Sequence, residues 1–409
     1  MSRRTVALRE VGQIVGGGTP STNHPEYFGN DYPWITPRDL SRQGTRFVEA
    51  GERGISQAGL AASSAKLLPA GTVVISSRAP IGLTALASVP VTTNQGCRSF
   101  VPGNDADSLF MYYLLGSLSD EFERRANGST FKEISGSALG AFEIDLPDLV
   151  EQKAIAMALG ALDDKIESNR RTMGILEKLG AALIEQAFTL DPFGNPEYDD
   201  SRRLGDVLSL LETGSRPKGG LQEGVEGVVS LGAQHVQSAG VCARTDFGHV
   251  PHEFAESMTR GRLEEGDVLI YKDGGKPGNF IPHVSAFGYG FPVDRAVINE
   301  HVYRARAGQG VSQGLLYWLL RSPWMDLEMR KRGTGVAIPS LNSTNVRNLP
   351  TPAGLSSKAS GLSEKLEPML AALLRLGTEN RRLANIRDAL LPELLSGRIG
   401  VSQAGEAFS

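Results

Sequence analysis

The chain has 409 residues, too many for one ordinary core, so two or more domains are expected. It is 40% hydrophobic and 22% charged, which excludes a chain dominated by disorder, and it holds no apolar run long enough to span a bilayer. A net charge of -4 argues against a free-standing DNA-binding protein with a basic excess. It leaves room for a basic face, or for DNA binding inside a larger complex.

In chain order, the start "MSRRTVALREV" lacks the apolar stretch of a secretory signal. A Gly- and Pro-rich loop follows at 16–25. "GTVVIS" (71–76) is a short β-rich run after a turn signal. "FMYYLLGSLSDEFERRA" (110–126) has helical spacing of apolar residues. Residues 151–169, "EQKAIAMALGALDDKIESN", open a long charged helix without proline. "DPFGNPEYDD" (191–200) reads as a turn-rich linker. The cysteines, Cys97 and Cys242, lie far apart and suggest neither a disulfide framework nor a zinc site, so a reducing, cytoplasmic home fits.

Past the linker the pattern begins again. "LREVGQIVGGGTP" (8–20) is echoed by "LGDVLSLLETGSRP" (204–217), and "LPAGTVVISSRAPIG" (68–82) by "LEEGDVLIYKDGGKPG" (263–278). "VTTNQGCRSFVP" (91–102) returns as "AVINEHVYRARA" (296–307). "FMYYLLGSLSDEFERRANGSTFKEIS" (110–135) returns as "LLYWLLRSPWMDLEMRKRGTGVAIPS" (315–340), and "EIDLPDL" (143–149) as "VRNLPTP" (346–352). These matches keep one order and similar gaps, which means a duplication into two homologous domains. Each half reads as a loop-rich α+β domain followed by a long helix.

Ile155, Leu162, Asn169, Leu176 and Leu183 are spaced by seven, as are Leu159, Ile166 and Met173, with Gly180 next. Such a stripe is either the face a helix buries in its own domain or a coiled-coil seam, and two of them, one after each copy, favour the seam, on which the polar Asn169 can fix register. Roughly 35 residues at ~1.5 Å each would make a rod of about 50 Å. In the C-terminal echo, "ENRR" (379–382) aligns with "SNRR" (168–171), which sets Asn380 against Asn169. Leu366, Leu373, Asn380 and Arg387 then continue the first series, and Leu370 matches Leu159. Two departures stand out: Gly377 where the first copy has Ile166, and Arg387 where it has Leu176. An antiparallel pair of these helices suits a chain with pseudo-two-fold symmetry.

No motif carries catalysis. "NPEY" (195–198) resembles the Asn-Pro-Pro-Tyr signature of adenine methyltransferases, but Glu197 replaces a proline and no Gly-rich nucleotide loop precedes it. "KDGGKPG" (272–278) lacks the spacing of a phosphate-binding loop. The six histidines have no Cys or acidic set that completes a metal site, so no metal is expected. What remains suits DNA binding. In the first half the candidates are Arg38, Ser77, Arg78, Asn94, Gln95, Arg98, Ser129, Thr130 and Lys132. In the second they are Gln234, His235, Lys272, Lys276, Asn299, His301, Arg332, Thr334, Ser340 and Asn342. Arg and Lys donate to guanine, Asn and Gln pair with adenine, and Lys, Ser and Thr hold phosphates. Asn94 and Gln95 have the alternative of tying down a strand end.

The sequence resembles the DNA-specificity subunit of type I restriction–modification systems along nearly its whole length. The sharpest elements are "LPDLVEQKAIAMALGALDDKIESNRR" and the terminal "LLPELLSGRI", joined by "PWITPRDL" (33–40) and "GSTFKEIS" (128–135). The resemblance implies two target-recognition domains, each reading half of a bipartite asymmetric DNA site, at 1–148 and 191–352. It implies spacer helices at 149–190 and 353–409 that form an antiparallel coiled coil. It also implies two docked DNA methyltransferase subunits, restriction–translocase subunits that can join them, and S-adenosylmethionine bound by the methyltransferase partner rather than by this non-catalytic chain. The alternatives are a methylation-only or other phage-defence complex, or a self-contained adenine methyltransferase.

Overall fold

A computed structural model describes residues 3–406 apart from 129–131, 222–225, 243–245, 277–278, 289–290, 292, 294, 334 and 336–338. The chain divides into two compact units, Met1–Asp164 with Ala384–Ser409, and Lys165–Leu383. Two long helices, Leu149–Ala187 and Leu355–Ser396, run through both, so each unit holds a portion of each helix.

In the first unit the main sheet has the order Gly12–Gly16, Cys97–Pro102, Val73–Ser76, Thr84–Ala87, Phe47–Val48. Its central strand is buried on both faces, and period-two alternation divides its side chains between two cores. Val73 and Ile75 pack with the helix Ser108–Ser117, while Val74 packs with Ile35, Leu40 and Ala85. A second sheet has the order Arg53–Ile55, Phe28–Ile35, Thr92–Thr93, the last pair parallel.

The second unit repeats this topology. Its main sheet runs Leu208–Thr213, Val302–Ala307, Val268–Tyr271, Val284–Ala286, strand for strand the order of the first unit's first four. Val268 and Ile270 face the core that holds the helix Gln313–Arg321, and Leu269 faces the other. The smaller sheet, Gly248–Val250, Val228–Leu231, Ala296–Ile298, again ends on a parallel pair. Both buried central strands begin after a glycine held at positive φ, Gly71 at 85° and Gly266 at 83°, a backbone that a side chain would strain. The helices that cover them start alike: Asp107 accepts from Phe110 N at 2.9 Å, and Ser312 from Leu315 N at 3.1 Å.

The long helices pair antiparallel within each unit. In the first, Ile155, Ala156 and Leu159 share a core with Leu390, Leu394 and Leu395, and Arg387 Nη1 donates to Asp163 Oδ1 at 2.6 Å. In the second, Met173 and Ile184 share a core with Leu366, Leu370, Leu373 and Leu374. There Asn169 meets Glu379 while Ala187 meets Lys358, so rising numbers on one helix face falling numbers on the other. Leu162, Leu176 and Leu183 are partly buried against these cores, and Ile166 is buried.

Both departures in the second helix have a cause. A Cβ on Gly377 would lie 2.1 Å from the carbonyl oxygen of Gly240, so only glycine lets that loop cross the helix. Arg387 supplies the charge that Asp163 meets. Gly180, on the first helix's seam, makes room for the indole of Trp318, which donates to Glu177 O at 3.3 Å. Asn169 and Asn380 do not bond to each other: Asn169 Nδ2 donates to Glu379 Oε2 at 2.9 Å, and Asn380 Nδ2 points at Met173 Sδ at 3.8 Å.

Candidate nucleic-acid interface

Ser77, Arg78, Asn94, Gln95 and Arg98 of the first unit, and Lys272, Asn299 and His301 of the second, gather at one end of the main sheet, around a turn that leads into the strand beside the central one. In the first unit that turn is 94–97. Asn94 N donates to Ile35 O at 2.9 Å, and Asn94 Oδ1 accepts from Gly96 N at 2.9 Å. Ser77 N donates to Gly96 O at 2.8 Å, and Ile134 N to Ser77 O at 3.1 Å. The second unit rebuilds each bond. Asn299 N donates to Leu231 O at 3.0 Å, Asn299 Oδ1 accepts from His301 N at 2.9 Å, Lys272 N donates to His301 O at 3.0 Å, and Leu341 N donates to Lys272 O at 2.9 Å. The side chains of Asn94 and Asn299 therefore hold the turn, as their short amides suit. The match pairs Ile134 with Leu341 and the helix caps Ser135 and Asn342, two residues off the sequence alignment of Ser135 with Ser340.

Around this shared backbone the two units carry different chemistry. In the first, Gln95 is exposed and its side chain has no hydrogen-bond partner among the described residues. Arg78 lies over the turn, its Nε 3.1 Å from where a Gly96 Cβ would be, and it has no ion pair among the described residues. Arg98 is tied down by Glu133 at 2.8 Å and by the carbonyls of Gln95 and Cys97 at 3.1 Å. In the second, Glu300 is gripped by Arg216, with Nε 2.9 Å and 3.0 Å from its two oxygens. His301 Nδ1 lies 2.7 Å from Asp273 Oδ2, and Lys272 Nζ donates to Glu300 O at 3.0 Å. Partial burial pushes the Glu300 carboxyl up, but hydrogen bonds from Arg216 and the backbone, with the charges of Arg216 and His301, outweigh it and leave its pKa below the ordinary glutamate value.

Arg216, Asp273 and Glu300 escaped the sequence reading. The one signal for them was the alignment of Glu300 with Gln95 across the repeat. Two candidates are corrected, because they present no edge to a ligand. Ser77 is fully buried, with its hydroxyl on Glu133. His235 is buried against Phe247 and accepts from Gly232 N at 2.9 Å, so it shapes a turn while its neighbour Gln234 stays exposed.

The remaining candidates scatter. Arg38 is exposed on a helix capped by Thr36, 3.7 Å from Glu52. Lys132 shares an open groove with Asp120, Glu123 and Arg124. Arg332 pairs with Glu328, Ser340 is half-buried, and Asn342 caps the helix Ser343–Arg347 by accepting from Asn345 N at 2.7 Å. Ser129, Thr130, Thr334 and the side chain of Lys276 lie outside the described residues. In the Asn195–Tyr198 motif, Asp191 accepts from Asn195 N at 2.8 Å and is also reached by the Asn195 amide, which makes the segment a closed turn. Among the described residues no group of three or more His, Cys, Asp or Glu side chains is placed to hold a metal ion, and no helix is long and apolar enough to cross a membrane.

Comparison with known proteins decides the family. Residues 4–177 match the family model of the type I restriction modification DNA specificity domain. The specificity subunit of the type I restriction enzyme MjaIX of Methanocaldococcus jannaschii is 30% identical over 422 aligned residues, covering 97% of this chain and 93% of that one. The chain belongs to the type I restriction enzyme specificity subunits. The EcoR124I/EcoR124II specificity subunit of Escherichia coli is 33% identical over 163 residues, 38% of this chain and 40% of its own length. The crystal structure of an S subunit from M. genitalium shares the fold, with a TM-score of 0.60 at 17% identity over 96% of each chain. As a specificity subunit the protein serves DNA recognition.

Proposed function

We propose that each unit of this specificity subunit reads one half of a bipartite, asymmetric DNA site, and that the paired helices set the unread gap between the halves. The observation that carries this is the turn at 94–97 and 299–302: one backbone scaffold, hydrogen bond for hydrogen bond, with different side chains at its tip. Two sets of base-reading groups on one frame are what an asymmetric site needs. The recognition domains occupy 1–148 and 191–352, with the spacer helices at 149–190 and 353–409.

The chain performs no chemistry in this reading. Two methyltransferase subunits dock on it and bind S-adenosylmethionine, and restriction–translocase subunits join the cytoplasmic complex. The first long helix supports this with apolar residues that its own partners leave bare. Val150 and Met157, seven apart, are 80% and 71% exposed, and Ile175 and Leu179, four apart, are 64% and 50% exposed. Each unit has one such pair for one methyltransferase. Partner subunits closing around the DNA would share the phosphate contacts that a chain of net charge -4 lacks.

The test is reconstitution. The chain alone should bind DNA weakly and methylate none, and adding the methyltransferase subunit should bring sequence-specific binding and adenine methylation. Val150→Asp with Met157→Asp should lower the number of methyltransferase subunits retained on size-exclusion chromatography. Methylation by the isolated chain would refute the proposal, and full retention by the double variant would refute the docking face.

A further inference from the structure

The two turns place Gln95 and Glu300 at one equivalent position, each directly after the asparagine that holds its turn. From this we infer that position 95/300 reads a base in both half-sites, adenine through Gln95 and cytosine through Glu300. The inference rests on the half-site reading above and assigns it to particular atoms.

The two side chains differ in what they can accept and donate. A glutamine amide offers one acceptor and one donor, the complement of adenine N6 and N7 in the major groove. A carboxylate offers acceptors alone, so it takes the cytosine N4 amino group and sets a second oxygen lone pair against adenine N7. Each is presented accordingly. Gln95 projects from a turn fixed by four backbone and side-chain bonds, and its amide has no partner among the described residues. Glu300 sits on the same fixed turn, held by Arg216 at 2.8 Å (Nη2 to Oε1) and by His301 Nε2 at 3.4 Å. These contacts orient the carboxylate and keep it ionised, while 43% of its side chain stays exposed. Arg216 is itself 32% exposed and lies beside the carboxylate, where it can donate to the guanine paired with that cytosine.

The experiment is a reciprocal exchange in the full complex with the methyltransferase subunit. Binding is read against a pool of randomised duplexes, with the parent complex alongside. Glu300→Gln should move one position of the second half-site from cytosine toward adenine, and Gln95→Glu one position of the first from adenine toward cytosine. Each should shift relative binding about 5- to 100-fold at that position and leave the opposite half-site unchanged. Variants that keep the parent preference at every position, or that lose affinity for all sequences alike, would overturn the inference while the half-site reading stands. A parent complex with no sequence preference would overturn both.

Discussion

The two units share a backbone and differ in their charge. Just before the central strand of the first unit Thr72 is buried and its hydroxyl donates to Pro69 O at 2.7 Å. At the same place in the second unit stands Asp267, fully buried, accepting from Arg304 Nε at 2.6 Å and Arg306 Nε at 2.5 Å. Glu212 and Glu264 complete that cluster around Arg304. The turn tips repeat the contrast: in one, an amide and an arginine with no hydrogen-bonded or ionic side-chain partner among the described residues, in the other an Arg216–Glu300 and His301–Asp273 chain. Duplication has kept the hydrogen bonds that shape the backbone and released the side chains around them. That is the freedom a pair of readers for two sequences needs.

The largest test of this contrast lies where the central strands begin. Asp267→Ala leaves Arg304 buried without its closest carboxylate and should cost the second unit about 3–5 kcal/mol. Thr72→Ala at the equivalent place should cost the first unit only about 1 kcal/mol, the worth of one hydrogen bond. Urea titration, following each unit's transition, checks both, and equal losses would mean the ionic cluster does not set the units apart.

The helix pair offers the next comparison. In the first unit buried Asp163 takes bonds from Arg387 and from Tyr113 Oη, both at 2.6 Å. Asp163→Ala takes the buried acceptor from both Arg387, which keeps only Asp388, and Tyr113, and should cost about 2–3 kcal/mol in the first unit's unfolding. In the second unit the corresponding polar contact is Asn169 on Glu379, and Asn169→Ala should cost about 1–2 kcal/mol. The reverse ranking would contradict the geometry.

Gly377→Ile restores the residue that the first helix copy has in Ile166. It should destabilise the second unit by about 1–3 kcal/mol, because its Cβ meets the Gly240 backbone. An unchanged urea midpoint would show that the close crossing does not matter. On the DNA side, Arg78→Ala should weaken binding of the complex by about 1–3 kcal/mol if its guanidinium reads a base. Unchanged affinity across several salt concentrations would remove it from the interface.

Much of this architecture was legible in the sequence, since five ordered echoes reveal a duplication and a seven-residue repeat reveals paired helices. The same repeat sets Asn94 against Asn299 in the alignment. What stayed hidden depends on contacts between distant residues. Arg216 and Glu300 are 84 residues apart, and nothing local marks them as partners. Gly377 looked like a flaw in the seam until Gly240 was found against it. Ser77 and His235 have side chains suited to DNA, but burial, which composition does not reveal, turns them inward. The two-residue shift near Ser340 is of the same kind, because hydrogen bonds rather than letters fix the equivalence.

The most direct measurement is a single-molecule map of methylated adenines in DNA modified by the complex of this chain with its methyltransferase. Two different half-sites separated by a gap of fixed length and unspecified sequence are the predicted result. A single continuous motif, or two identical half-sites, would contradict the account.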